Sequence, residues 1–302
     1  MNAELRAELT KKIARIESLP TIPAAIRPLL DLLGTPTDEV DMEKVIESVA
    51  LDKTIAAQVL RVCNSPLYAR AGTVESVRGG VITLGLRRIQ EIAFACTFCQ
   101  SLRFKDVSFD PMVFWRHALG CALLSRKFSS LIEYANPELA YLAGLLHDIG
   151  FQVNALIDAE KWREAVRQAV TTQMPMLEAE QRALGYTHCQ SGRILAEQWQ
   201  LSPEVAEVIE FHHLTDGEAK PSDLVSIVHI TDLLCRMREM GYGYYEPVGI
   251  NLMGDPAWGQ LAKSYRKLGT MDLALFTFEV DALMEEVRGM VDEIFSVGAT
   301  SH

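Results

Sequence analysis

The sequence lacks an uninterrupted apolar stretch long enough to span a bilayer, and its first residues lack the charged, apolar and small-residue series of a secretory signal. A membrane-bound or exported protein is therefore not expected, and the chain reads as a bacterial-type cytoplasmic one. An excess of positive charge is also missing. Forty acidic residues face 29 basic ones, for a net charge of -11. Such a surface repels phosphate backbones and anionic lipid, so neither nucleic acid nor a membrane is an expected partner. Strand-like alternation, a fixed-period repeat and a low-complexity tract are absent as well. Cysteine is sparse, at six residues. The single CxxC, Cys96 to Cys99, has no second pair, and Ile92, Cys96 and Cys99 share one helical stripe. These cysteines read as core thiols in a reducing cytosol.

What the chain does contain is helical periodicity. A charged opening helix, about Ala3 to Ser18, leads through a Pro20/Pro23 turn into a second helix ending near Gly34. Further helices are expected at about Met42 to Ala50, Thr54 to Asn64 and Leu86 to Leu102. Phe104 to Asp110 reads as a hinge. Beyond it, Asp158 to Thr172 and Met176 to Leu184 are amphipathic, Pro247 to Pro256 reads as loop, and Asp281 to Ser296 as a closing helix. The expectation is all-α, divided into an N-terminal helical lobe (1–107) and a second helical core with the C-terminal helices (108–302), since 302 residues can bury about two cores. Arg61, Arg70, Arg78, Arg87 and Arg88 read as solvated helix faces rather than a basic pocket. Gly241-Tyr242-Gly243-Tyr244-Tyr245 reads as a mobile loop, with a lid or docking surface as the alternative.

Against this background, five histidines and two aspartates fall mostly on apolar helix faces. Asp110-Pro111 reads as an N-cap with proline at the first helical position, followed by the stripe Phe114, His117, Cys121, Leu124 and Phe128. Asn136-Pro137 opens another helix whose stripe Leu139, Leu142, Ala143 and Leu146 runs directly into His147-Asp148. His188 heads Gly192, Leu195 and Trp199. Ser202-Pro203 starts a helix with Val205, Val208 and Ile209, and His212 falls on its next turn beside His213. Asp232 lies a turn beyond Val228. A buried imidazole or carboxylate costs several kcal/mol unless it is paired or bound. A metal centre accounts for all seven positions together. Two local alternatives stay open: His213 as a solvated neighbour of His212, and Asp232 paired with Arg236.

The order of a first His, the His147-Asp148 doublet and a later Asp resembles the HD superfamily of metal-dependent phosphohydrolases, and Leu145 to Gly150 matches the surroundings of its doublet. His188 and the His212-His213 pair resemble the extra ligands of HD proteins holding two or three metals, the HD-GYP phosphodiesterases among them. Those enzymes carry lysine where Phe151 stands and an acidic residue where Leu214 stands, so hydrolysis of a cyclic dinucleotide is not expected. The front half is similar to the HDOD domain, the HD-related output domain of bacterial signalling proteins. Leu19 to Pro23, Leu51 to Ser65, Tyr68, Val74 to Val77 and Thr83 to Ile89 carry that likeness, over roughly residues 15 to 240.

The resemblance implies an N-terminal helical bundle packed on an HD-like helical core. Imidazoles with carboxylates suit iron, manganese or zinc better than magnesium, as one or two divalent ions. His117, His147, Asp148 and Asp232 would hold one ion, with Asp148 bridging to a second on His188, His212 and His213. Asp148 is also the residue on which any catalysis would depend. The expected function is a regulatory output module that retains this site, has little catalysis and contacts signalling proteins. The alternative is a metal-dependent phosphohydrolase or phosphodiesterase taking a nucleotide or phosphorylated small molecule.

Overall fold

A computed structural model of the chain describes residues 1, 3–16, 41–50, 52–65, 68, 73–101, 111–213, 221–244 and 252–295. The protein is all-α, with no strand among the described residues. In chain order the helices are α1 (Ala3–Ala14), α2 (Met42–Ala50), α3 (Lys53–Cys63), α4 (Val77–Leu84), α5 (Leu86–Ser101), α6 (Pro111–Ile132), α7 (Pro137–Leu146) and α8 (Gly150–Ile157). They continue with α9 (Ala159–Thr172), α10 (Met176–Leu184), α11 (His188–Gln198), α12 (Pro203–Phe211), α13 (Asp223–Met237), α14 (Pro256–Ser264), α15 (Arg266–Gly269) and α16 (Leu273–Phe295). No helix among the described residues is long and apolar enough to cross a membrane. The expected Leu19–Pro23 turn, the helix ending near Gly34 and the 104–110 hinge lie outside the described residues.

The chain forms two compact units interleaved along the sequence, whereas the sequence reading cuts it once near residue 107. Met1–Leu19 groups with Phe104–Asp281, and Pro20–Arg103 with Ala282–His302. The first grouping has a plain cause: Leu9 and Ile13 of α1 are buried, and that helix packs on α8 and α11.

In the smaller unit, Asp52 caps α3 by accepting from the amides of Thr54 and Ile55, and Ser76 caps α4 through the Gly79 amide. Helix α5 packs along α3 and α4. Asn64 clasps the turn after α3: its amide nitrogen donates to Leu60 O and Val74 O, both at 2.8 Å, and its Oδ1 accepts from Val74 N at 2.7 Å. Arg78 pairs with Glu43, and Arg88 with Glu91 and Glu286, so these arginines serve acidic neighbours rather than a basic pocket.

The larger unit is built around α6, which packs chiefly along α7 and α13. Phe114, Trp115, Leu124 and Phe128 of α6 are almost wholly buried. Each such side chain contributes about 1.5–3 kcal/mol over its exposed state, so apolar burial dominates this helix. Asn136, Asp158, Ser202 and Ser222 cap α7, α9, α12 and α13 with their side-chain oxygens. Two glycines permit close approach. A Cβ on Gly144 would lie 2.8 Å from Cys121 O, and one on Gly150 would lie 1.9 Å from His188 O. Glycine thus lets α7 press on α6 and α8 on α11.

Several helices differ from expectation, among them α8, α14 and α15, none of which was expected. Helix α4 occupies Val77–Leu84, where none was expected. The closing helix starts at Leu273 rather than Asp281, because Asp272 Oδ1 caps it through the amides of Ala274 and Leu275. Its first turns bury Phe276 and Val280 while Leu275 and Phe278 stay exposed, which blurs the apolar periodicity there.

Candidate metal centre

The larger unit brings all seven flagged residues together. His117 comes from the middle of α6, and His147-Asp148 from the tight turn between α7 and α8. His188 is the first residue of α11, His212 and His213 follow the end of α12, and Asp232 comes from α13. His117, His147, His188 and His212 are fully buried, Asp148 and Asp232 are 1% exposed, and His213 is half-buried. Four fully buried imidazoles in one cluster go well beyond ordinary core histidines.

The ring nitrogens show what the cluster is built to hold. His117 Nδ1 donates to Met240 O and His147 Nδ1 to Gly144 O, both at 2.7 Å. His188 Nδ1 donates to Glu180 Oε2 at 2.7 Å, while His212 Nδ1 faces Val208 O and Ile209 O at 3.2 Å each. Carbonyl and carboxylate oxygens only accept, so each Nδ1 carries a ring proton, and in the neutral ring each Nε2 then presents a lone pair. Yet His117 Nε2 lies 3.2 Å from His147 Nε2, and His188 Nε2 lies 3.0 Å from His213 Nε2. Asp148 Oδ1 lies 3.2 Å from both His188 Nε2 and His212 Nε2, and neither Asp148 Oδ1 nor His212 Nε2 has a hydrogen-bond partner. Lone pairs turned on one another at these distances repel unless a cation sits among them. The residues present therefore fit divalent transition-metal ions.

The protonation states agree in part. Asp148, Asp232, His212 and His213 are held in ligating forms. Against the effect of burial, Asp148 raises His147, and Cys189 with Glu180 raises His188, so these two rings hold protons that a metal would displace. Burial alone would raise the Asp148 carboxyl, but His147, His188 and His212 hold it well below its usual range. Burial presses His212 down to about 4, and His213 is lowered by burial together with His212 and His188. Ionised carboxylate and neutral imidazole are the forms that ligate metals. Asp232 is also held below its usual range: burial opposes this, and the Arg236 guanidinium overcomes it. Asp232 thus serves both readings left open by the sequence, since it pairs with Arg236 while its Oδ1 stands 3.1 Å from His117 Nε2. His213 is no mere solvated neighbour; its ring faces His188.

Several residues around the centre escaped the sequence reading. Glu180 is fully buried and accepts from His188 N at 3.0 Å, from the His188 ring, and from Asn154 Nδ2 at 2.8 Å. It orients a ligand in the manner of a carboxylate–histidine pair. Its signal was its place on the apolar face of α10 beside Met176 and Ala179. His229 donates from Nδ1 to His212 O at 2.7 Å, fixing the backbone of the His212-His213 pair. Tyr242, in the segment read as a mobile loop, is buried, donates its hydroxyl to Asp148 Oδ2 at 2.7 Å and lies 4.5 Å, ring to ring, from His117. The lid alternative describes it better. Phe151 packs on His188 with ring centroids 4.1 Å apart and on Trp162 at 5.3 Å.

Comparison with known proteins agrees with this geometry. The HDOD domain family matches residues 19–215, more than half of the chain. A crystal structure of an HDOD domain protein of unknown function from Geobacter sulfurreducens is 29% identical, with a TM-score of 0.80, over 97% of this chain and 99% of that one. A protein from Marinobacter aquaeolei VT8, provisionally assigned to signal transduction, is 22% identical with a TM-score of 0.74, over 96% of this chain and 65% of that one; at this identity it shows the fold alone. An uncharacterized protein of Treponema pallidum (strain Nichols) is 21% identical over 258 residues, 83% of this chain, and the chain spans about half (49%) of that relative's length. From its apolar helices to its buried His-Asp doublet, this chain belongs to the HDOD domain family.

Proposed function

We propose that the chain is a regulatory output module of bacterial signalling that retains an HD-type centre for one or two divalent transition-metal ions and turns over little or no substrate. His117, His147, Asp148 and Asp232 would hold one ion, and His188, His212 and His213 the other, with Asp148 between them. A bound divalent ion would supply Lewis-acid charge at this point. The observation that carries the regulatory reading is the pair of aromatic side chains closing the centre. The Tyr242 hydroxyl occupies Asp148 Oδ2, and Phe151 covers His188. Phe151 offers no proton and no charge to a phosphate. Arg236, a cation beside the centre, is engaged by Asp232 through both its Nε and a terminal nitrogen. The side chains thus orient ligands and exclude water, and among the described residues none is placed to hold or protonate a leaving group.

One observation favours the phosphohydrolase alternative. A surface cavity of about 460 Å³, lined among others by Thr187, Gln190, Phe211 and His213, reaches the rim of the centre. A nucleotide-sized ligand fits such a volume. Glu178 and Glu210 also line it, and their carboxylates disfavour a phosphate even though Arg182 and Arg193 pair with them. Elemental analysis of protein purified without chelator tests the metal reading: one or two equivalents of transition metal are expected, mostly lost in Asp148→Ala. Steady-state assays on a phosphodiester panel including cyclic diguanylate test the functional one. Robust turnover that vanishes in Asp148→Ala would overturn the regulatory reading and establish the enzyme.

A further inference from the structure

We propose that the centre consists of two thiolate-bearing sites of the zinc type. Cys121 completes one with His117, His147 and Asp232; Cys189 completes the other with His188, His212 and His213. The inference rests on the metal reading above, puts the two thiols in the place of Asp148 as ligands, and adds a metal preference and a coordination number to it.

In each of the two quartets, one donor atom per residue lies within 4.8 Å of all the others. Cys121 follows His117 by one helical turn on α6, so both side chains project from the same face. Its Sγ lies 3.6 Å from His117 Nε2, the atom that also faces His147 Nε2 at 3.2 Å and Asp232 Oδ1 at 3.1 Å. In the second quartet, Cys189 Sγ stands 3.6 Å from His188 Nε2, which faces His213 Nε2 at 3.0 Å. These separations can be compared with the edges of a tetrahedron around zinc. Bonds of about 2.0–2.1 Å to nitrogen and about 2.3 Å to sulfur give edges of about 3.3 Å between nitrogens and about 3.6 Å from nitrogen to sulfur. Three edges of the first quartet and two of the second match that pattern within a few tenths of an ångström, and the remaining edges are no longer than 4.8 Å.

Chemical consequences follow. Ligation replaces each S–H bond with a metal–sulfur bond and releases one proton per thiol to solvent. Thiolate with imidazole selects zinc, or another thiophilic ion such as ferrous iron, over manganese and magnesium. Four protein donors per ion close the tetrahedron, as in structural zinc sites, whereas catalytic zinc keeps an open position. Cysteine ligation thereby supplies a coordination reason for weak turnover, independent of Phe151 and Tyr242. Asp148, with Oδ1 toward His188 and His212 and Oδ2 3.0 Å from His147 Nε2, lies between the two ions and balances their charge.

Cobalt(II) substitution of the chelator-stripped full chain tests the proposal by spectroscopy. The cobalt-loaded protein should show intense visible bands of a tetrahedral ion together with a near-ultraviolet sulfur-to-cobalt charge-transfer band. Cys121→Ser and Cys189→Ser should each lower the charge-transfer band by about half, and the double variant should abolish it while helix content by circular dichroism stays unchanged. Bound cobalt without a charge-transfer band, or with a band surviving in the double variant, would overturn the thiolate assignment and leave the metal reading standing. Absence of bound cobalt would overturn both. Should a variant fail to fold, X-ray absorption on the zinc-loaded unaltered protein decides: a sulfur scatterer at about 2.3 Å is expected, and a nitrogen and oxygen shell alone refutes the proposal.

Discussion

Tyr242 donates its hydroxyl hydrogen to Asp148 Oδ2 across 2.7 Å, tying a residue after α13 to the carboxylate that stands between the two histidine groups. A neutral donor on that oxygen withdraws electron density a metal would otherwise draw upon, so the tyrosine would oppose any ion drawn to this carboxylate.

Tyr242→Phe should therefore tighten metal binding. A hydrogen bond to a charged group is worth about 1.5–3 kcal/mol, so an affinity gain of about tenfold is expected in chelator competition. The ring packing on His117 and Tyr244 is retained, and the metal-free protein should lose no more than about 1–3 kcal/mol of stability. Unchanged or weakened metal affinity would show that the tyrosine does not compete.

Glu180→Gln tests the orientation of His188. The carboxylate accepts from a backbone amide, a ring nitrogen and the Asn154 amide, and a glutamine cannot accept all three without turning its own NH2 on a donor. A 10–100-fold loss of metal affinity is expected, by order of magnitude. Equilibrium unfolding of the metal-free variant should show a loss of about 1–3 kcal/mol. An affinity equal to that of the unaltered protein would remove Glu180 from the support of the centre.

Gly150→Ala should be among the most damaging single changes in the larger unit. The added methyl would lie 1.9 Å from the carbonyl oxygen of His188 and must push α8 off α11, separating Asp148 from His188. Overpacking against backbone costs about 1–3 kcal/mol or more, and thermal unfolding should fall accordingly together with metal content. Gly259→Ala in α14 is the control. No atom lies within 4 Å of its Cβ position, so the helix should gain about 0.5–1 kcal/mol.

Asn64→Ala separates fold from site. The sequence places Asn64 at a helix end ahead of Pro66, and the structure adds three hydrogen bonds from its side chain to α3 and Val74. Losing them takes a partner from Val74 N and Val74 O, while Leu60 O keeps the Asn64 backbone amide, a cost of about 1–3 kcal/mol in chemical unfolding. Metal content should be unaffected. Loss of metal at unchanged stability would contradict this assignment.

The candidate site residues were legible because each breaks a local rule. His117, His147, Asp148, His188, His212 and Asp232 interrupt apolar stripes on their own helices, and such a violation shows in a window of about a dozen residues. Glu180 breaks the same rule on α10 but is easily taken for the solvated edge of an amphipathic helix. Cys121 and Cys189 break no rule. A thiol is as apolar as its neighbours, so its use as a ligand leaves no trace in the pattern. Tyr242, flanked by two glycines, carried the signal of a loop and not of the buried ring it is.

The sequence alone determined the all-α class, several helix starts beyond residue 110 and the inventory of imidazoles and carboxylates, because periodicity, caps and prolines act within a few residues of one another. Only the tertiary structure decided which nitrogen of each ring faces the next, that Gly144 and Gly150 let the helices close on the site, that Glu180 and Tyr242 hydrogen-bond to His188 and Asp148, and that α1 belongs with α8 and α11. Each of these depends on atoms far apart in the chain, and nothing in a local pattern fixes which distant helix comes to lie against it.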